Sequence, residues 1–206
     1  MSEMFEMPAL QVSLPDERLP LPDEITYYVL EKERKVFLQG DIGEDTMALE
    51  RLILRWNMED RDIPVEDRRP IRIYIMCYGG ELDFMWSIVD TIRLSKTPVY
   101  TINMGVAGSA AALIFIAGEK RWMMPNAKVI IHEGSAQMAG DAVKVLDATD
   151  SYRRELQRMK DFILEHTDIP KRMLNKKRNN DWTLDCAYCL ETGVAHSAVT
   201  DLDSIL

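Results

Sequence analysis

One hydroxyl side chain, Ser109, lies among small residues that separate a β-branched segment from an unbroken apolar one. The β-branched and aromatic residues 99–104 predict a strand, and the Ala-rich segment after Ser109 predicts a buried helix. A hydroxyl at this junction lies near the positive end of the helix dipole and near backbone N–H groups without a helical partner. A nucleophilic serine needs such surroundings, because these N–H groups can hold the charge that develops on an attacked carbonyl oxygen.

Ser109 also has a structural interpretation. The elbow of α/β-hydrolases has glycine two residues before and two residues after the serine, and here Ala107 and Ala111 stand at those positions. A serine that precedes a helix often only caps its first turn. From this segment alone, the cap remains the alternative to the nucleophile.

The chain has three histidines, and the pattern distinguishes His132 from the other two. His132 is predicted at the carboxyl end of a strand, where open α/β sheets bind their ligands. A neutral imidazole there can take the proton of Ser109 and return it to a leaving amine. His166 falls in a charged helix and is predicted to be exposed, while His196 follows the last predicted helix. The alternative for His132 is a hydrogen-bonded structural histidine.

A third group should orient the imidazole, and backbone N–H groups should face the developing oxyanion. Periodicity does not choose among four downstream carboxylates, namely Asp141, Asp147, Asp181 and Asp185. Gly79 and Gly80 end a predicted strand, so their backbone can approach a ligand closely. Their N–H groups and that of Ala110 are candidate oxyanion donors. The alternative for the glycine pair is an ordinary strand-to-helix turn.

The elements that must position these groups alternate along the chain. Helical and strand periodicities predict the order strand, helix, strand, helix, strand, helix, strand, which is typical of an α/β fold with a parallel sheet. The predicted strands are 35–40, 71–75, 99–104 and 128–132, and the predicted helices are 45–57, 82–94 and the segment after Ser109.

The two ends of the chain have a different character. Residues 1–22 contain four prolines and predict an extended N-terminal arm, followed by one domain over residues 23–206. A charged helix is predicted from about Asp141 to His166, long enough to project toward another subunit, although a solvated surface helix is the alternative. A last helix over 185–192 and a short strand or strap over 195–206 complete the chain.

Composition limits the partners. The formal charge of −9 makes nucleic acid and anionic membranes poor partners. We find neither a signal peptide nor an apolar run that could span a bilayer, and we expect a cytoplasmic protein. Cys186 and Cys189 lack a second cysteine pair and are expected to pack in the core rather than bind a metal. We expect no cofactor.

Four segments carry a resemblance to a known family. Residues 36–42 resemble its hydrophobic strand that ends in glycine, and residues 73–80 resemble the motif Y-I-N-S-P-G-G. Residues 104–112 resemble M-G-Q-A-A-S-M-G-A, with Ser109 at the nucleophile. Residues 120–132 resemble K-R-x-x-L-P-N-A-x-V-M-I-H, with His132 at the general base. The chain thus resembles the proteolytic subunit of Clp protease, a serine peptidase of the crotonase-like superfamily.

The resemblance implies a crotonase-like α/β fold of repeated β-β-α and βα units, in which the helix over about 141–166 is a protruding handle. It implies a Ser109, His132 and Asp181 triad, with the N–H groups of Gly80 and Ala110 as the oxyanion hole, and needs no metal. It further implies a homo-oligomeric ring, a heptamer or a stacked double ring. Such a ring cuts peptides or unfolded polypeptides that an AAA+ Clp ATPase delivers, and the N-terminal arm lies at its axial pore.

This sequence departs from the family pattern at several positions. Residues 76–78 are Met-Cys-Tyr where the family has Asn-Ser-Pro, and Ala110 replaces a methionine. Glu133 and Gly134 follow His132, where the family continues with Gln and Pro, and Asn180 replaces an arginine that helps join two rings. The chain is therefore identified as a divergent member. The alternatives are an inactive structural subunit of a mixed ring and an acyl-CoA enzyme of the crotonase type.

Overall fold

The computed structural model describes residues 21–134, 139–177 and 180–206. The predicted N-terminal arm therefore lies, up to residue 20, outside the described residues. The remaining chain combines strands and helices as the alternating pattern predicts, with helices packed against a largely parallel sheet.

The described strands form one sheet in which β3 is the central member. Strands β1, β2, β3, β4 and β7 are neighbours in that order and run parallel, β5 pairs in parallel with the end of β3, and β6 pairs antiparallel with β5. The parallel α/β prediction is thus confirmed. The strands are β1 (Lys35–Gln39), β2 (Ile71–Cys77), β3 (Val99–Gly108), β4 (Lys120–Met123), β5 (Lys128–Ile131), β6 (Trp182–Asp185) and β7 (Ser197–Ala198).

Most helices pack on the sheet or extend from it. Short 3-10 turns lie at Glu44–Thr46, Val65–Asp67 and Leu202–Ser204. The helices are α1 (Pro22–Lys32), α2 (Met47–Glu59), α3 (Leu82–Leu94), α4 (Ala110–Ala117), α5 (Ala142–His166), α6 (Lys171–Lys177) and α7 (Cys186–Glu191).

Several predicted elements agree closely with the structure. Helix α3 has the predicted bounds, and α5 begins one residue after the predicted start, because Asp141 caps it by accepting the N–H of Lys144. Strand β3 continues four residues beyond the predicted end. The sequence patterns did not predict α1, β4, α6 or β6.

The core surrounds helix α4, whose eight residues are all buried. A smaller apolar cluster lies separately, where Tyr74 and Ile102 pack against Val199 and Ile205 of the C-terminal segment. The hydroxyl of Tyr74 donates a hydrogen bond to the carbonyl of Ile205, and so ties this predicted strap to β2.

Strand β3 changes partner along its length. Its first half pairs with β4, and its last three residues pair with β5. An irregularity between Ile75 and Cys77 of β2 accompanies this change, and Gly105 allows the close approach of Met76, whose Sδ would lie 2.7 Å from a Cβ at that position. Because of this change of partner, the end of β3 lies beside β5.

Arg121 of β4 ties three parts of the structure together. Its guanidinium donates to the carbonyls of Ile116 at 2.7 Å, Gly193 at 2.7 Å and His166 at 3.2 Å, and the side chain is buried. Burial lowers the pKa of Arg121 to about 10, so the group stays cationic at neutral pH. The ends of α4 and α5 are thereby fixed to the sheet.

Two smaller predictions have different outcomes. Cys186 and Cys189 are free and buried in the core, as expected, and burial raises the pKa of Cys189 to about 12. The predicted exposure of His166 is wrong, because its ring is half-buried and stacks on Phe162, with ring centroids 4.3 Å apart. Among the helices of the described ranges, none combines the length and the apolar character that crossing a membrane requires.

Candidate active site

Ser109 has an unusual backbone conformation at the junction of β3 and α4. Its φ of 52° lies in the left-handed region, which costs a non-glycine residue about 1–3 kcal/mol. The fold holds this conformation because the Ser109 N–H donates to the Ile130 carbonyl at 2.8 Å and its own carbonyl accepts the Ala112 N–H at 3.0 Å. The Ser109 side chain makes no capping hydrogen bond to α4. The helix-cap interpretation of this serine therefore finds no support.

The glycines at the end of β2 bring backbone against backbone. Gly79 and Gly80 both have positive φ, and a Cβ on either would collide, at Gly79 with Ser109 and at Gly80 with the backbone of Ile42. A Cβ on Gly108 would lie 2.8 Å from the carbonyl oxygen of Tyr78. Only glycine permits this contact between the end of β2 and the start of the turn at Ser109.

Two backbone N–H groups close to Ser109, those of Gly80 and Ala110, have no hydrogen-bond partner among the described residues. Gly80 forms a parallel bridge with Ile42, in which the Ile42 N–H donates to the Gly79 carbonyl and the Glu81 N–H donates to the Ile42 carbonyl, both at 2.9 Å. In this arrangement the N–H of Gly80 itself points away from Ile42. Ala110 is the first residue of α4, whose N–H has no partner within the helix. Over the described ranges, neither N–H donates a hydrogen bond. Both are thus available to a ligand oxygen.

His132 shares a cleft with Ser109. Gly108 pairs with Ile130 in the parallel β3–β5 ladder, which brings the residues after each strand together. The two side chains line a cleft of about 340 Å³, which Gly80, Tyr78 and Tyr152 also line. The imidazole is about one-third exposed and so remains accessible from the cleft.

Asp181 is the carboxylate that lies beside His132. In the antiparallel β5–β6 pair Ile131 stands opposite Trp182, so the next residue on each side, His132 and Asp181, face each other across the end of the pair. The imidazole Nδ1 lies 3.7 Å from Asp181 Oδ1, an ion-pair distance that exceeds a hydrogen bond. The Asp181 side chain is 79% exposed.

The other three candidate carboxylates serve elsewhere or face solvent. Asp141 caps α5, and Asp185 caps α7 by accepting the N–H of Tyr188 at 2.8 Å. Asp147 lies exposed on α5. The structure thus brings Asp181 to the imidazole and assigns two of the alternatives to helix caps.

Two further residues support the cleft, and sequence reasoning did not identify their roles. Cys77 is buried, its Sγ lies 3.0 Å from the Gly40 carbonyl, and the Gly79 N–H points at it from 3.3 Å. Burial raises the pKa of Cys77, so it stays a thiol rather than a second nucleophile. Tyr152 of α5 donates to the Glu133 carbonyl at 2.8 Å. The available signal for Tyr152 was its position four residues before Leu156, on the apolar stripe of α5.

No arrangement in this cleft is suited to a metal. Across the described part of the chain, no group of three or more His, Cys, Asp or Glu side chains has the geometry to hold a metal ion. The site combines a hydroxyl, an imidazole, a carboxylate and two unpaired N–H groups, which together suit acyl transfer from a carbonyl substrate.

Comparisons with known proteins agree on one family. The family model described as Clp protease matches residues 23–201. The chain is 31% identical over 167 residues to ATP-dependent Clp protease proteolytic subunit 2 of Treponema denticola. The aligned region covers 78% of this chain and 79% of that protein. It is 30% identical over 172 residues to the protein of the same name from Treponema pallidum, with 81% and 82% covered.

A solved structure agrees at the level of the fold. A mutant of ClpP1 from Listeria monocytogenes superposes with a TM-score of 0.74 at 21% sequence identity, covering 88% of this chain and 99% of that one. This likeness establishes the architecture and leaves the chemistry to the residues of the cleft.

Proposed function

The chain belongs to the Clp protease family, and on that premise we propose that it is a serine endopeptidase in which Ser109, His132 and Asp181 form the catalytic triad. The substrate class is a peptide or an unfolded polypeptide. The chemistry needs no cofactor, because the chain itself supplies the nucleophile, the general base and the oxyanion donors.

In the proposed mechanism the Ser109 hydroxyl attacks the carbonyl carbon of a peptide bond while His132 takes its proton. The carbonyl oxygen becomes an oxyanion, which the N–H groups of Gly80 and Ala110 stabilise. His132⁺ then returns the proton to the leaving amine, which leaves an acyl group on Ser109. Water, activated by the same imidazole, hydrolyses this ester and restores the enzyme, while Asp181 orients the ring.

The conformation of Ser109 carries this proposal. A left-handed serine at a strand-to-helix junction stores strain that a structural cap does not require, and it stands beside two unpaired N–H groups in the cleft that contains His132. Strain of this kind is retained where it positions a reacting group.

The proposal extends to assembly. Relatives carry the names proteolytic subunit and ATP-dependent, so we propose a homo-oligomeric ring, a heptamer or a stacked pair, that receives substrate from an AAA+ Clp ATPase in the cytoplasm. The exposed apolar residues of the first half of α5, Val143 and Leu146, support a contact of this helix with a facing subunit.

Fluorophosphonate labelling tests the chemistry. The parent chain should gain one phosphonyl adduct on Ser109, located by peptide mass mapping, and should cleave an unstructured fluorogenic peptide. Ser109→Ala should abolish both while the mass of the native assembly stays unchanged. Ser87→Ala is the matched control, because Ser87 lies exposed on α3, and it should behave as the parent. Peptide cleavage by Ser109→Ala at the rate of the parent chain would refute the assignment.

One observation favours a second candidate, a non-catalytic subunit of a mixed ring. The carboxylate of Asp181 is largely exposed and stands beyond hydrogen-bond distance of the imidazole. In that case the chain would assemble with a catalytic partner subunit, and Ser109 would resist the fluorophosphonate at concentrations that label an active serine peptidase completely.

A further inference from the structure

Tyr152 connects the long helix α5 to the segment that follows His132. Its hydroxyl donates a hydrogen bond to the carbonyl oxygen of Glu133 at 2.8 Å. The hydroxyl oxygen of Tyr152 would also lie 3.2 Å from a Cβ built on Gly134, whose φ is +74°. The phenol therefore rests against the backbone of both residues that come directly after the imidazole.

This segment depends on support from outside the sheet. Strand β5 ends at Ile131, and its last pairing residue is Trp182 of β6, so His132 and the next two residues continue beyond the ladder. The contact of His132 with Asp181 is exposed and, at 3.7 Å, longer than a hydrogen bond, so Asp181 alone holds the ring only loosely. The hydrogen bond from the Tyr152 hydroxyl to the Glu133 carbonyl is a firmer support for this segment, because Tyr152 belongs to a 25-residue helix.

We propose that Tyr152 is a positioning residue, whose hydroxyl holds the Glu133 carbonyl so that His132 faces Ser109 and Asp181. This inference rests on the proposed function, in which His132 is the general base. Gly134 is part of the same arrangement, since the absence of a side chain there lets the hydroxyl lie against the backbone. A proline in that position, as in the family motif, could not adopt this positive φ.

The first test separates turnover from substrate binding. Tyr152→Phe keeps the ring and removes only the hydroxyl, so kcat for an unstructured peptide should fall about tenfold while KM changes less than about twofold, since a small displacement of a catalytic group lowers the rate more than binding. Tyr188→Phe is the matched control, because Tyr188 is a half-buried tyrosine that packs on Trp182, and it should leave kcat unchanged. An unchanged kcat for Tyr152→Phe would overturn the proposal.

A double-mutant cycle tests the pairing with Gly134. In the parent chain, Gly134→Ala places a methyl group against the hydroxyl and should reduce kcat. In the Tyr152→Phe background the hydrogen bond is already lost, so the added reduction should be smaller than in the parent. Strictly additive effects would show that the two positions act separately and would contradict the proposed arrangement.

The last test does not depend on activity. Modification of the three histidines by diethyl pyrocarbonate is followed by peptide mass mapping on the native assembly. In Tyr152→Phe, the modification rate of His132 should rise about threefold or more, while His166 and His196 react as in the parent and so exclude general loosening. An unchanged His132 rate overturns the inference. If Ser109 is unreactive in the parent, the proposed function fails, and this rate still decides whether Tyr152 holds the segment.

Discussion

A Cβ atom built on Gly79 lies 2.7 Å from the Cβ of Ser109, closer than any two such atoms pack in a folded protein. The end of β2 therefore touches the nucleophile turn itself. Because Gly80 follows directly, this contact also sets the distance between one candidate oxyanion donor and the hydroxyl. A substitution at Gly79 should consequently lower the catalytic rate before it affects the stability of the fold.

We expect Gly79→Ala to lower kcat/KM for a peptide substrate by about 100-fold, because a shift of about 1 Å in the nucleophile turn removes the alignment of the reacting groups. The matched control is Gly40→Ala. Gly40 also has a positive φ, +74°, but no atom lies within 4 Å of a Cβ built on it, so this variant carries the backbone strain without the contact. Equal losses in both variants would mean that strain alone, rather than the contact with Ser109, controls activity.

Asp181→Asn should lower kcat by at least about 100-fold with the fold intact, because an amide no longer stabilises the imidazolium that forms during attack. Asp185→Asn, at the other end of β6, is the control, since asparagine caps a helix as well as aspartate does and α7 should be preserved. The measurement is steady-state hydrolysis together with thermal unfolding of each variant. Full activity of Asp181→Asn would remove the carboxylate from the mechanism.

The buried ion pair of Arg34 with Asp60 should dominate the acid sensitivity of the fold. The Asp60 carboxylate accepts two bonds from Arg34, at 2.6 and 2.7 Å, and one from Thr97, and its side chain is 2% exposed. The bonds from Arg34 hold the pKa of Asp60 below its usual value. This contribution is present in full above the unfolded-state pKa near 4 and is lost as the pH falls toward the lowered folded-state pKa.

Asp60→Asn should therefore reduce the free energy of unfolding at pH 7 by about 3 kcal/mol, because Arg34 keeps its charge but loses its buried carboxylate partner. Among the described residues, only the exposed carboxylate of Glu59, 3.6 Å away, remains beside it. The variant should also lose less further stability between about pH 5 and pH 2 than the parent does. Denaturant titrations at a series of pH values measure both effects. Asp62→Asn, a change at an exposed neighbour, should follow the parent curve, and a parent-like curve for Asp60→Asn would contradict the prediction.

Arg121→Lys should destabilise the chain by about 2–3 kcal/mol, although the charge is kept. An ammonium cannot reach the three carbonyls of Ile116, His166 and Gly193 that the planar guanidinium spans. The comparison is Arg51→Lys on the exposed face of α2, which should change the free energy of unfolding by less than about 0.5 kcal/mol. Similar values for both variants would show that the tie at Arg121 contributes no stability.

Sequence patterns predicted the elements with strong periodicity. Helix α3 was predicted at its observed bounds because Met85, Ile88, Val89 and Ile92 repeat at helical spacing. In the structure all four side chains are buried. The junction at Ser109 and the strand predicted over 128–132 rest on a different signal, because β-branched runs bounded by turn residues indicate strands. The observed strand ends one residue earlier, at Ile131, directly before His132. Parallel neighbours then bring the two side chains to one edge of the sheet.

The other elements and site residues depend on strand pairing and helix packing between distant parts of the chain, which no local sequence pattern encodes. Strands β4 and β6 are four residues long, and each is held by its pairing with a longer-range partner, β4 with β3 and β6 with β5. Periodicity left four carboxylates open, and only the family resemblance pointed to Asp181. The physical reason for its position is that β6 runs antiparallel to β5, a register that puts Asp181 opposite His132. Tyr152 reaches the site through tertiary packing of α5, twenty residues beyond the imidazole.

Strand β3 pairs with β2, β4 and β5, and Ser109 follows directly from it. Fraying at an edge of the sheet should therefore leave Ser109 in place, because its strand is paired on both sides. The imidazole and its carboxylate instead sit at the tip of a two-stranded ribbon that is attached on one side only. A displacement of that ribbon would therefore separate the imidazole from the hydroxyl without moving the serine.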